Sequence, residues 1–279
     1  MYNYNGQIAD NFNISIANNR AFLYGDAVFE TIKVSNGKIL FLEDHYFRLM
    51  ASMRILRMEI PMEYTMEFFE MNILKLIENF EKSEAYRIRI TVFREGEGFY
   101  LPLQKNVSFL VSIATVDEAK FSIKSTDYEV ELFKDAAIST QLLSTIKSTN
   151  RMVQITASIF AKENGYNNCL ILNTDKNVAE AIDSNLFMVQ GNVITTPPLQ
   201  DGCVNGILRK ELIRLLQKQT EFTFEERSIS AFELQKADEL FLTNTIKGIQ
   251  PITKYRKKTY QTNVALTLLE LLNVSIVQD

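Results

Sequence analysis

Apolar and polar residues alternate over 29–34 and over 87–93, and a period of two predicts a strand in each place. Asn36-Gly37 follows the first run, a hairpin signal that makes 39–42 the return strand. The period then changes. Phe47, Leu49, Met50, Met53 and Leu56 recur at three- and four-residue spacing, which predicts a helix closed by Pro61. Residues 65–80 repeat that stripe, and 107–115 reads as a further strand. Residues 117–127 carry no such period and read as a connector. Beyond it, strands are expected at 128–133, 169–173, 186–189 and 239–243. Helices are expected at 148–164, closed by Gly165, at 205–219 and at 264–274. Ser230 and Glu233 fit a capping box for a short helix. The class is mixed α/β (α+β) in two unequal parts. Residues 1–118 form a small α/β domain, 119–127 the connector and 128–279 a larger domain.

Composition narrows the chemistry. The chain has 279 residues, 46% of them hydrophobic and 23% charged, which is globular and not disordered usage. Its 30 basic and 34 acidic residues give a net charge of −4, so nothing points to nucleic acid. The 2 cysteines, Cys169 and Cys203, make no disulfide framework. With 1 histidine, His45, a multi-histidine metal site is ruled out, and no metal is expected. The N-terminus has neither a basic region nor an apolar core, and no apolar run approaches the roughly 20 residues of a spanning helix. A cytoplasmic protein without a membrane segment is expected.

Several residues stand in suggestive contexts. Lys147 lies between an apolar run and a stretch of small hydroxyl residues. A partly desolvated lysine has a lowered pKa and offers a neutral amine, although a solvated helix-end lysine reads the same way. Gly206-Ile207-Leu208 opens a helix whose free N–H groups suit phosphate, or is an ordinary helix start. Thr243-Asn244-Thr245 follows a strand and adds polar groups. Glu180 is an acid in apolar surroundings, where an arginine or a protonated pyridine nitrogen would be its partner. His45 and Arg48 share a helix face. Arg87, Arg89 and Arg94 suit bidentate binding of a carboxylate, or an exposed sheet face. A nucleophilic lysine, an enclosed acid and a phosphate cradle are together the protein parts that pyridoxal 5′-phosphate requires.

Six motifs in order then resemble the fold-type IV (class IV) pyridoxal-phosphate enzymes over nearly the whole chain. They are Tyr24-Gly25-Asp26-Ala27-Val28-Phe29-Glu30-Thr31, His45 with Arg48-Leu49, Lys147, Glu180 with Ser184-Asn185-Leu186-Phe187, Gly206-Ile207 with Arg209, and Phe241-Leu242-Thr243-Asn244-Thr245. The family includes branched-chain and D-amino acid aminotransferases and aminodeoxychorismate lyases. The resemblance implies a two-domain D-amino acid aminotransferase-like fold with the cofactor between the domains, an amino substrate and a homodimer. It implies that Lys147 forms the imine and moves protons, that Glu180 pairs with the pyridine nitrogen, and that Arg48 contacts the phosphate. Gly206, Ile207, Leu208 and Thr245 would complete that cradle, with Asn185 and Asn244 nearby. Phe29 and either Arg89 or Arg94 would meet substrate.

Within the family, the chain is most similar to the lyases. Lys147, Asn150-Arg151-Met152 and Gln154 follow the lyase pattern, and so does Val204-Asn205-Gly206-Ile207-Leu208-Arg209. Thr31 falls at the threonine implicated in the lyase proton transfer. Branched-chain aminotransferases place a tyrosine where Met152 stands, and D-amino acid aminotransferases one where Phe29 stands. Departures exist too, because Glu30-Thr31 reads more like the transaminases. The implied activity is cleavage of 4-amino-4-deoxychorismate to 4-aminobenzoate and pyruvate, a folate-pathway step. The rivals are a class IV aminotransferase and a non-catalytic cofactor-binding protein.

Overall fold

The computed structural model describes residues 1–278. Two units emerge, one of residues 1–119 with 146–150, the other of residues 120–145 with the chain from 151 onward.

The first unit is a six-stranded antiparallel sheet backed by two helices. In chain order come β1 (Tyr2–Tyr4), β2 (Gln7–Ala9), α1 (Arg20–Tyr24), β3 (Ala27–Ser35), β4 (Lys38–Ile39), α2 (Leu42–Ile55), α3 (Met66–Glu78), β5 (Ala85–Arg94) and β6 (Val107–Thr115). The sheet order is β2-β1-β6-β5-β3-β4. Strand β3 pairs with β5 without interruption from Ala27↔Phe93 to Ser35↔Ala85. Alternation sends Val28, Ile32 and Val34 of β3, with Ile88, Ile90 and Val92 of β5, to one face. There they pack on Leu49, Met50 and Met53 of α2 and on Phe69, Ile73 and Leu76 of α3. Each such buried side chain contributes about 1.5–3 kcal/mol. Asn36 and Gly37 both take positive φ, 48° and 80°, as the predicted hairpin turn requires. The return strand is shorter than predicted. Phe41 turns at φ 55° and Leu42 already opens α2, so the helix starts earlier than its apolar stripe suggests. Thr65 caps α3 by accepting from Phe68 N at 3.2 Å.

The second unit holds two five-stranded sheets. Its elements are β7 (Glu129–Ile138), α4 (Leu142–Thr145), α5 (Met152–Glu163), β8 (Asn168–Asn173), β9 (Val178–Ala181), β10 (Asn185–Gln190), β11 (Val193–Thr196), α6 (Ile207–Leu216), β12 (Thr223–Glu226), β13 (Glu239–Asn244), β14 (Gly248–Ile252), β15 (Lys254–Tyr255), β16 (Lys258–Thr259) and α7 (Asn263–Gln278). The sheet orders are β12-β11-β10-β13-β14 and β16-β15-β7-β8-β9. One core joins Val130, Leu170, Leu186, Leu240 and Tyr255, and a smaller one sets Ala157 and Ala161 of α5 on Cys169 and Ile171. No described helix is long and apolar enough to cross a membrane.

Residues 146–150 differ from expectation. The sequence pattern puts a helix from 148 and places Lys147 with the larger domain. Instead these residues form no helix, Ser148 bridges Val28 and the segment belongs to the first unit, and α5 begins at Met152. The reason is backbone pairing along β3. The segment at 119–127 likewise divides differently, with Lys120 onward in the second unit.

Candidate active site

Residues 147–149 run antiparallel beside the start of β3. Phe29 N donates to Lys147 O at 2.8 Å, Thr149 N donates to Ala27 O at 3.0 Å, and Val28 bridges Ser148. The Lys147 side chain therefore leaves from a backbone fixed on both sides. Its Nζ stands 4.7 Å from the centroid of the Phe29 ring. The Arg89 guanidinium lies over the same ring at 3.7 Å.

Register explains that grouping. Phe29 opposes Thr91, Thr31 opposes Arg89 and Lys33 opposes Arg87, so these side chains share the sheet face away from α2 and α3. Arg89 Nε donates to Thr91 Oγ1 at 3.2 Å. Among the described residues, no carboxylate pairs with Arg87 or Arg89. Burial, and then the charge of Arg87, lowers the Arg89 pKa. Such a pair attracts an anionic group from outside the chain.

Arg94 sits otherwise. It is buried, and its Nε donates to Asp26 Oδ2 at 2.9 Å while its Nη groups reach Arg57 O at 3.1 Å and Leu56 O at 2.5 Å. Arg20 reaches the same Asp26 oxygen at 2.9 Å. These contacts tie β5 to the turn before β3. Between the two candidate arginines, Arg89 is the one without a carboxylate.

On the opposite face of β3, Glu30 is an acid in the apolar phase, between Val28 and Ile32. It is 1% exposed and takes both His45 and Arg48 from α2. Arg48 forks onto it, Nε to Oε1 at 2.8 Å and Nη2 to Oε2 at 2.5 Å, and His45 Nδ1 lies 2.6 Å from Oε2. Burial pushes the Glu30 carboxyl up, but the Arg48 charge and the Arg48 and His45 hydrogen bonds outweigh it and hold it at about 2. Burial lowers the His45 pKa, against the raising effect of Glu30. The two directions agree on an ionised carboxylate receiving Nδ1–H from a neutral ring. Glu30 thus sets the position of the Arg48 guanidinium. Sequence reading singled out His45 and Arg48 and passed over Glu30 as a partner. A charged residue in the buried phase of a strand was the available signal.

The second unit supplies the remaining candidates. Glu180 on β9 is 5% exposed. Gln154 Nε2 of α5 donates to its Oε1 at 3.0 Å, and Val204 N donates to its Oε2 at 2.7 Å. Val204 O in turn accepts from Asn185 Nδ2 at 2.9 Å. Gly206 is the N-cap of α6, and a Cβ there would collide with Asn185 Oδ1. The glycine is required by close approach and not by its φ of −66°. Ile207 and Leu208 start the helix with buried side chains, so their N–H groups belong to its positive end. Arg209 anchors that helix through Pro197 O at 3.0 Å and Glu226 at 2.5 Å.

Asn244 closes β13. Its Oδ1 accepts from Ile246 N at 2.8 Å and its Nδ2 donates to Asp183 O at 2.6 Å. Lys247 reaches Asp183 Oδ2 at 2.6 Å. Asn244 therefore shapes the turn that carries half-buried Thr245. Nothing in the spacing announced Gln154, Asp183 or Lys247 as partners.

The donor set fits a phosphorylated pyridine. Within the second unit it offers a buried acceptor carboxylate for a ring N–H and helix-start N–H groups beside a spot no Cβ can occupy. Among the described residues, no group of His, Cys, Asp and Glu could hold a metal ion.

Comparison with known proteins agrees. The sequence profile described as Amino-transferase class IV matches residues 27–255. The chain is 27% identical over 270 residues to a probable branched-chain-amino-acid aminotransferase of Aquifex aeolicus, covering 86% of this chain and 79% of that one. It is 27% identical over 281 residues to the aminodeoxychorismate lyase of Bacillus subtilis, covering 90% and 85%. The PLP-form branched-chain amino acid aminotransferase of Thermobaculum terrenum superposes with a TM-score of 0.84 over 100% of this chain and 94% of that one, at 24% identity. That last likeness is one of fold.

Proposed function

This chain belongs to the class IV aminotransferase family, and from that premise we propose that it is a lyase that splits 4-amino-4-deoxychorismate into 4-aminobenzoate and pyruvate. Pyridoxal 5′-phosphate is its cofactor, and when bound it supplies an electron-accepting ring to the carbon that bears the substrate amine.

The residues then divide the work. Lys147 is the amine that anchors the cofactor and afterwards takes the proton from that carbon. Glu180 holds a proton at the ring nitrogen. Gly206, Ile207 and Leu208 offer N–H groups to the phosphate, with Arg48 and Thr245. Asn185 and Asn244 keep the surrounding loops in shape. Phe29 bounds the substrate, and Thr31 stands on the same face as a proton carrier.

The observation that carries this reading is the Arg87–Arg89 pair without a carboxylate, on the face shared by Phe29 and Thr31. Aminodeoxychorismate has two carboxylates remote from its amine, and Arg89 is the first choice to hold one. Glutamate, an aminotransferase donor, also has two carboxylates. Met152 at the tyrosine position of branched-chain aminotransferases, and Gln154 of the lyase pattern, favour the lyase. The Aquifex relative favours the aminotransferase reading. The experiment is direct. Release of pyruvate and 4-aminobenzoate from aminodeoxychorismate, with L-glutamate leaving the visible band unchanged, supports the lyase. Loss of the band on adding L-glutamate, with no pyruvate, replaces it by the aminotransferase.

Two variants check the parts. Arg89→Ala is expected to raise KM about 10- to 100-fold with kcat changed less, since a charge-assisted hydrogen bond is worth about 1.5–3 kcal/mol. Unchanged KM removes Arg89 from the substrate. Gly206→Ala is expected to weaken pyridoxal phosphate about tenfold in a titration of the apoprotein, because the new Cβ displaces Asn185 from Val204.

We also propose a homodimer. Phe22, Leu23, Phe99, Tyr100 and Leu101 are exposed apolar side chains of the first unit, and Arg20 ties α1 to the 98–99 loop through Gly98 O and Phe99 O. A solution mass of one chain would exclude it.

A further inference from the structure

Glu180 is buried, and a buried carboxylate keeps its charge only where donors or cations hold it. Gln154 and Val204 N address its two oxygens from different elements, the first turn of α5 and the loop before α6. An ionised carboxylate accepts and cannot donate, so the Gln154 amide must present its NH2 group to Oε1. That contact therefore selects the charged form. Opposite it on β8 stands Ile171, which has no polar side-chain atom. Beside Val204 lies Cys203, whose thiol burial pushes up to about 12, so it is neutral. Arg209 of α6 and Asp201 act on that same thiol with opposite signs.

We propose that Gln154 is a positioning residue, whose amide holds Glu180 ionised and in one orientation so that the proton shared with the cofactor's ring nitrogen stays on the ring. This rests on Glu180 being the ring's partner. Gln154 acts through Glu180 and touches neither substrate nor the reacting carbon. Its effect is electrostatic, so shape alone does not reproduce it: glutamate at 154 has nearly the same volume but brings a second negative charge.

The test uses the full-length protein, loaded and unloaded, with carbon-13 in its glutamate carboxyls. The Glu180 resonance is identified by its absence in Glu180→Gln. In the unloaded protein its titration midpoint is expected to be lowest in the native sequence, about one pH unit higher in Gln154→Leu and higher again in Gln154→Glu. In the loaded protein, Gln154→Leu is expected to lower kcat about tenfold with KM within about twofold, and to shift the pH midpoint of the visible band. Equal midpoints in all three sequences, with the band intact, overturn the role of Gln154 and leave Glu180 as the ring's partner. A shifted carboxyl midpoint in a protein whose visible band ignores Glu180→Gln overturns the pairing with the ring.

Discussion

Lys147→Ala is expected to lower turnover at least about 10⁴-fold and to abolish the visible band of bound cofactor, with little change in melting temperature. One amine is assigned both jobs, anchoring the cofactor and moving the proton. General acid–base catalysis alone is worth about 10²–10⁴-fold, and losing a covalent nucleophile costs more. The fold should survive because the Lys147 contact with β3 is made by its backbone oxygen, which alanine keeps. Steady-state assay, an absorbance scan and thermal denaturation check the three parts. Retained turnover would remove Lys147 from the chemistry. Added primary amine restoring part of the rate in the alanine variant would strengthen the assignment.

The second large effect concerns stability. Glu30→Gln is expected to destabilise the first unit by about 3–5 kcal/mol, because Arg48, at 10% side-chain exposure, loses the buried negative charge it forks onto. For a chain of this length that is a fall of roughly 10 °C in melting temperature. The same group predicts a pH dependence. Glu30 titrates at about 2 when folded, against an ordinary 4.5, so the unfolded chain binds the proton more readily. The ion pair's contribution, about 3 kcal/mol, is present in full above about pH 4.5 and is lost as pH falls towards 2. His45 acts in the same sense at higher pH. Its folded pKa is lowered, so the unfolded chain takes up a proton below about 6.5 that the folded ring refuses. Denaturant midpoints from pH 7 to pH 3 should fall steeply in the native sequence and less in Glu30→Gln. Parallel curves would show that Glu30 is not the group responsible.

Local signals were legible where neighbours in sequence are neighbours in space. Asn36-Gly37 made its hairpin, Thr65 capped its helix, and the alternation at 87–93 became the centre of β5. The ordered motifs from Tyr24 to Thr245 carried the family, because each motif is a short contiguous stretch of sequence. The stretch from 147 failed for a matching reason. Its residues are compatible with a helix, and they pair with the backbone of β3 instead, because that strand, more than a hundred residues earlier, offers an unpaired edge.

Charge placement divides in the same way. That Glu30 sits in the buried phase of a strand, and so needs a cation, follows from a period of two. That its partners are His45 and Arg48 depends on how α2 lies across the sheet. Arg89 and Arg94 look alike in sequence, five residues apart on one strand. A period of two puts them on opposite faces, and only the packed structure gives their partners, Arg94 turned onto Asp26 and two carbonyls, Arg89 laid over Phe29 without a carboxylate. Gln154 and Glu180 are likewise brought together by β9 packing near α5. The sequence by itself determined the family, the cofactor chemistry and the residue types. The tertiary structure decided which like residues are held by internal carboxylates and which are not, since hydrogen-bond satisfaction is settled between elements distant in the chain.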